Sequence, residues 1–367
     1  MKSLLIRTVF RSLILSCLFV SFRGLSSEIP LTTADGFAVP QPGHEFSFPR
    51  DHGSHPEFKL EWWYLTGHLF AKDGRCFGYQ ATFFRSAAPD RSTQIYLAHM
   101  AVADPAIGKF YHQERLNRAG WDADAALGAL DVRNGPWSLR MTDNTAARME
   151  LRGGVRADVR FELNLTPTKP LVVFGENGVS RKGAEPTAAS YYLTFPRLRT
   201  EGMLTLGEEK FTVTGETWMD HEISSSQLGA NQVGWDWAGI QFKDGREIMF
   251  YRLRLRDGTA DPASSLTWVD SAGHTKRTAF QWEVLARWKS PSTGAVYPSR
   301  IRITTTDPAT QRETSFILEP LVQNQELAGR LGDIPYWEGA CRVLAADGRE
   351  IGSAYLELTG YAKDLKL

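Results

Sequence analysis

Between Leu60 and Tyr361 the chain is a succession of short runs rich in Val, Ile, Thr, Tyr, Phe and Trp, cut at close intervals by turn dipeptides such as Asp73-Gly74, Asn134-Gly135 and Asp244-Gly245. Side chains on a strand alternate between two faces. Short strands at regular spacing bury those faces only by packing sheet on sheet or by closing into barrels. No long amphipathic helix interrupts the pattern. The 32 glycines and 11 tryptophans agree with a mostly β protein, and 367 residues predict two domains.

Two β series are expected. The first starts at Leu60 and runs to about Thr194; the second starts near Met203, which divides the chain into 27–202 and 203–367. The segment from Glu28 to Phe58 holds several prolines and the loop Asp51-His52-Gly53-Ser54-His55, and is read as irregular chain wrapped on a surface. Asp-Gly-Arg recurs at 73–75, 244–246 and 347–349, each time after a Trp-containing strand with a nearby glycine. This is a weak sign of a duplicated barrel. The hairpin at Asp73-Gly74 is expected to close through a type I′ turn, and the one at Asp244-Gly245 can be read in register on the condition that its turn has two residues.

Lys2, Arg7 and Arg11 precede the apolar run from Ser12 to Phe22, followed by the small residues Gly24, Ser26 and Ser27. This is the layout of a secretory signal peptide, read as 1–26 with cleavage near Ser26. Export to the periplasm or the outside of the cell is the expectation. Cys17 after Ile14-Leu15-Ser16 loosely matches a lipid-anchor box, although the apolar run continues past it. Beyond the signal, Cys76 and Cys341 are either one disulfide or two buried thiols. Lysine plus arginine equal aspartate plus glutamate at 42 each, so no global field draws the protein to nucleic acid or to anionic lipid.

Chemistry is expected in Gly215–Arg254. That stretch holds Trp218, Trp235 and Trp237, the acids Glu216, Asp220, Glu222 and Asp236, and His221. Ionisable groups buried among aromatics acquire shifted pKa values, and such groups gather at functional sites. With a two-residue turn at Asp244-Gly245, Asp236 falls opposite Leu253 and Ala238 opposite Tyr251. Asp236 then lies on an apolar face and is expected to hold its proton. Asp220 and His221 are adjacent on a strand end and point to opposite faces, so they form no automatic dyad.

Other candidates carry less. His52 and His55 with Glu57 and Glu61 lack a recognised metal-ligand spacing, so no metal is expected. His68 and His99 are read as hydrogen-bonded barrel histidines. No Gly-x-Ser-x-Gly elbow, His-Glu-x-x-His helix, phosphate loop or dinucleotide fingerprint is present, and no cofactor is expected.

The segments DHGSHPEFKLEWWYLTGHL (51–69), FGYQATFFR (77–85), YLAHMAVAD (96–104), GETWMDHEISSSQ (215–227) and WDWAGIQFKDGREIMFYRLR (235–254) resemble the exported AttH proteins, relatives of carotenoid 1,2-hydratase. The resemblance implies an all-β fold of two lipocalin-like (calycin) antiparallel β-barrels packed side by side, and a hydrophobic isoprenoid or lipid-like ligand. It also implies either acid–base hydration or hydrolysis of that ligand, or a carrier or accessory role beside an ABC export or lipid-trafficking system. Hydration of an alkene needs a protonated carboxylic acid and an aromatic wall for the cation. On that reading Asp220, His221 and Asp236 handle protons, and Trp63, Tyr64, Trp218, Trp235, Trp237 and Tyr251 contact the ligand.

Overall fold

The computed structural model describes residues 29–88 and 90–366. The expected signal segment and Cys17 lie outside these residues. The strands are β1 Leu60–Ala71, β2 Cys76–Ala87, β3 Gln94–Asp104, β4 Lys109–Arg118, β5 Ala123–Ala125, β6 Asp131–Asn134, β7 Trp137–Asp143, β8 Arg148–Val155, β9 Val159–Pro167, β10 Val172–Phe174, β11 Ser180–Arg181, β12 Ala189–Leu206 and β13 Glu209–Ser226 in one sheet. A second sheet holds β14 Gln232–Phe242, β15 Glu247–Leu255, β16 Ser265–Val269, β17 Thr275–Thr278, β18 Phe280–Lys289, β19 Val296–Thr306, β20 Glu313–Pro320, β21 Glu326–Leu327, β22 Tyr336–Leu344 and β23 Glu350–Thr359.

Both sheets are antiparallel, and both curl nearly closed. In the first, Asn134 on β6 donates to the Tyr96 carbonyl on β3 (3.1 Å) and accepts from Asn117 on β4 (2.7 Å), joining the two ends of the sheet. In the second, Phe250 on β15 stacks on Trp282 on β18 at 5.2 Å. The two share a plan: the opening strand (β1 or β14) lies between its hairpin partner (β2 or β15) and the last strand (β13 or β23). The all-β, two-barrel lipocalin-like fold is thus the one the sequence leads to. Trp63, Leu65, Tyr79 and Phe161 fill the first barrel; Ile240, Phe250, Trp268 and Leu356 fill the second. Each such side chain contributes roughly 1.5–3 kcal/mol by leaving water.

Two expectations are corrected. The chain passes from the first sheet to the second between Ser226 and Gln232, not at 202/203. β13 runs along β1 from Leu60↔Ser224 to Ala71↔Val213, so it closes the first barrel, a long-range pairing that local periodicity does not encode. Gly215–Arg254 therefore spans the end of one barrel and the first hairpin of the other. The turns also differ. Phe242 N–H bonds the Arg246 carbonyl, and Gly245 N–H bonds the Phe242 carbonyl, with Gly245 at φ +83°. This is a three-residue loop in which only the glycine takes the left-handed conformation, and the Asp73-Gly74 turn repeats it. Cys76 and Cys341 are free thiols.

The barrels meet along a close seam. A Cβ on Gly78 of β2 would sit 2.4 Å from the Ala340 Cβ of β22, and one on Gly239 of β14 would sit 2.8 Å from the Trp218 ring of β13. Only hydrogen fits at these two positions.

Candidate functional site between the barrels

The strand pleat builds the site. On the outer face of the first barrel, register aligns Tyr192, Glu222, Trp62 and Phe84 in one row across β12, β13, β1 and β2. The next row is Asp220, Tyr64, Thr82 and His99. On the facing wall of the second barrel, Tyr251, Trp237, Glu357 and Glu338 form a row across β15, β14, β23 and β22. Beside it lie Leu253, Trp235, Thr359 and Tyr336. All of these line one cavity between the barrels. Its aromatic walls with a few convergent polar groups suit a small apolar ligand.

Hydrogen bonds lock the walls together. Tyr64 donates to Glu338 Oε1 (2.7 Å), His99 Nδ1 meets the Tyr336 hydroxyl (2.7 Å), and Trp237 donates to the Tyr192 hydroxyl (2.8 Å). Tyr192 in turn donates to Asp220 Oδ2 (2.7 Å), while Thr194 (2.5 Å) and Trp218 (2.8 Å) donate to Oδ1. Lys182 Nζ pairs with Glu222 Oε2 (3.0 Å) and lies 4.6 Å from the ring centres of both Tyr192 and Tyr251.

Three carboxyls here hold their protons unusually well. Burial pushes Asp220 up to about 7, opposed by its hydrogen bonds from Thr194 and Tyr192. Burial pushes Glu357 up to about 8, with Trp235 partly offsetting it. Burial, then the neighbouring Glu357 charge, drives Glu338 well above the ordinary range. Glu338 is fully buried, and its Oε2 has no protein partner. Burial also lowers His99 to about 4, so it is a neutral imidazole.

Of the residues singled out in the sequence, Asp220, Tyr64, Trp235, Trp237 and Tyr251 line the cavity. Trp218 stands behind the wall: it orients Asp220 and meets Trp237 edge-on (ring centres 6.0 Å apart). Three expectations fail, two through strand alternation and one through hairpin register. Trp63 and His221 point into the first barrel, where their rings stack at 4.8 Å. Asp236 lies opposite Arg252, not Leu253, because the three-residue turn offsets the hairpin by one. It is clamped by Arg252 (3.1 Å), Arg254 and the Tyr361 hydroxyl (2.8 Å), so it is the anchor of an ion pair and not an isolated acid on an apolar face.

His221 belongs to a second buried cluster that fastens the irregular N-terminal segment. Glu61 Oε1 bonds His55 Nδ1 and His221 Nε2 (2.9 Å each), and Oε2 bonds Ser54 Oγ and Arg85 Nε (2.9 Å each). Burial alone would raise Glu61; the two histidines and the Arg85 charge instead hold it well below the usual range. The three donors of His55, Glu61 and His221 lie within 4.8 Å of one another, close enough to seat a metal ion. Their hydrogen bonds to each other use the same atoms, and Arg85 already neutralises the carboxylate.

Sequence reasoning missed Glu338, Glu357, Lys182, Tyr192 and Trp62, gave Glu222 no role beyond its place in Gly215–Arg254, and read His99 as a hydrogen-bonded barrel histidine. Two of them left a signal. Glu338 in Tyr-Trp-Glu-Gly-Ala and Glu357 in Tyr-Leu-Glu-Leu are lone acids inside apolar β runs, where a charge is costly unless paired.

Comparison with known proteins agrees with the fold. The model of the AttH-like family matches residues 39–361. The crystal structure of an AttH protein from Nitrosomonas europaea is 37% identical, with a TM-score of 0.79, covering 89% of this chain and 100% of that one. Kievitone hydratase from Nectria haematococca shares the fold at 14% identity, with a TM-score of 0.66 over 91% of this chain and 96% of that one. A ceramide-binding protein of Aspergillus fumigatus is 25% identical over 129 residues, 34% of this chain and 31% of its own. The match thus spans about a third of that curated relative's length. With the family pattern running from 39 to 361 and a solved relative covered end to end, the chain belongs to the AttH-like family.

Proposed function

We propose that the cavity binds a hydrophobic isoprenoid or lipid-like molecule and adds water across one of its double bonds by acid–base catalysis. The observation that carries this reading is Glu338: a fully buried carboxyl with one oxygen unpartnered, beside Glu357, in a cavity walled by Trp62, Trp235, Trp237 and Tyr251. Such a group is a neutral acid at neutral pH, the state a proton donor to carbon requires. Glu338 gives its proton to one alkene carbon. Positive charge develops on the other carbon against the aromatic faces, water adds there, and the new oxygen loses its proton to the carboxylate left behind. The acid is restored, and the ligand has gained H and OH. Asp220, which titrates near neutrality, is the second proton-handling group. The Lys2, Arg7 and Arg11 segment supports action outside the cytoplasm.

A carrier function is the second reading, favoured by the relative named as ceramide-binding. An ABC export system is the partner this reading proposes. One experiment separates the two. The purified protein is analysed by native mass spectrometry, and the extracted ligand and a prenylated phenol are incubated with it in heavy-oxygen water. Label entering the product with wild type and not with Glu338→Gln supports hydration. Ligand bound by both proteins without label in either supports the carrier.

A further inference from the structure

The acidic and basic side chains around the cavity are unequal in number. Four carboxyls line it, Asp220 and Glu222 from β13, Glu338 from β22 and Glu357 from β23, against Lys182 as the only ammonium or guanidinium among the described residues. Lys182 is spent on Glu222 at 3.0 Å. The remaining titratable groups facing the cavity are His99, Tyr64, Tyr192, Tyr251 and Tyr336. None of these supplies a cation at neutral pH: His99 is held neutral by burial, and phenols carry no positive charge. Glu338 lines the cavity fully buried, with Oε2 unpartnered. It has acceptor capacity and nothing from the protein to use it.

The walls suit a positive charge as well. Aromatic side chains from both barrels border the space, and a ring face attracts a cation more strongly when water is excluded. The protein already uses this contact here, since the Lys182 ammonium sits 4.6 Å from two tyrosine ring centres.

We propose that the inter-barrel cavity selects a lipophilic monocation, an ammonium on an alkyl or prenyl chain, over a neutral or anionic molecule of the same shape. The inference rests on the reading that this cavity holds the apolar ligand, and it narrows that ligand's chemistry. A cation entering the site pairs with Glu338 or Glu357, which then releases a proton to solvent. An anion meets Glu222 and the acid pair with no free cation to receive it. The same preference makes an alkyl ammonium a mimic of the cation formed during hydration, and so an inhibitor.

The test uses three probes below their micelle concentrations: dodecyltrimethylammonium, dodecanol and dodecyl sulfate. Binding to the full chain is followed by calorimetry in two buffers of different ionisation enthalpy at pH 7. The ammonium is expected to bind at least about tenfold tighter than dodecanol, the scale of a desolvated cation–π contact, with proton release that shows as a buffer-dependent enthalpy. In Glu338→Gln/Glu357→Gln the proton release disappears and the preference shrinks. Equal affinity for ammonium and dodecanol in wild type, or tighter sulfate binding, overturns the cation preference and leaves the apolar-ligand reading standing. If wild type binds none of the three, both fail. Because the wild-type comparison decides alone, a poorly folding variant does not obscure the result.

Discussion

Glu338 and Glu357 are cross-strand partners on β22 and β23, and both carboxyls face the cavity between the barrels. Like charges directly opposite on one sheet face repel, and burial adds to the cost, so the pair keeps a proton that isolated glutamates would lose. Glu338→Gln is therefore expected to fold with stability within about 1 kcal/mol of wild type, since a neutral amide replaces a neutral acid of the same shape. Turnover of the extracted ligand should fall by at least about 100-fold, the usual contribution of a general acid. Denaturant midpoints and initial rates measure the two; an active Glu338→Gln excludes it as the proton donor.

The pH dependence of stability has a defined sign. Folding raises Asp220 from 3.8 to about 7 and Glu357 from 4.5 to about 8. Between those values the folded protein holds protons that the unfolded chain has released, so these two groups make stability fall as pH rises through the window. Urea midpoints measured from about pH 4 to about pH 8 should decline less steeply in Asp220→Asn/Glu357→Gln than in wild type. An unchanged slope would mean that neither group carries the shift.

The seam predicts a steric effect. Gly78→Val places its Cβ 2.4 Å from the Ala340 Cβ, so the barrels must part or strain. The expected loss is about 1–3 kcal/mol, typical of overpacking, together with weaker ligand binding because the cavity walls separate. Gly128→Ala, with nothing within 4 Å of the new Cβ, is the control and should change neither. Thermal melts and probe titrations of the two variants make the comparison.

The buried cluster at Glu61 predicts a coupling. Arg85→Met strands the Glu61 carboxylate, which is fully buried, and should cost about 3–5 kcal/mol. Adding Glu61→Gln to Arg85→Met should restore part of that loss, since it removes the uncompensated charge. Limited proteolysis of residues 29–58 should speed up in the single variant, because His55 and Ser54 tie that segment to Glu61. Additive losses in the double variant would show that the cluster is not a unit.

Much of the architecture is local and therefore legible. β-prone runs and turn dipeptides predict the strands, and alternation alone separates Asp220 from His221 and Trp62 from Trp63. The register of the Asp244-Gly245 hairpin is also local, yet it turned on one residue: Asp-Gly closes either a two-residue or a three-residue loop. That single offset moved Asp236 from an apolar face to the side of Arg252.

The sequence by itself determined an all-β chain of short alternating strands, which bury one face in sandwiches or in barrels, and the choice of two barrels side by side came from its resemblance to the AttH proteins. Tertiary structure decided where the site lies and which acids serve it. Asp220 and Tyr64 come from the first barrel, while Glu338 and Glu357 come from strands more than a hundred residues further along. They become neighbours only when β13 closes the first barrel and the Gly78 and Gly239 seam lets the second approach. Their proton affinity follows from that enclosure: a carboxyl's pKa depends on the dielectric and the charges around it, and two separate folded walls supply both.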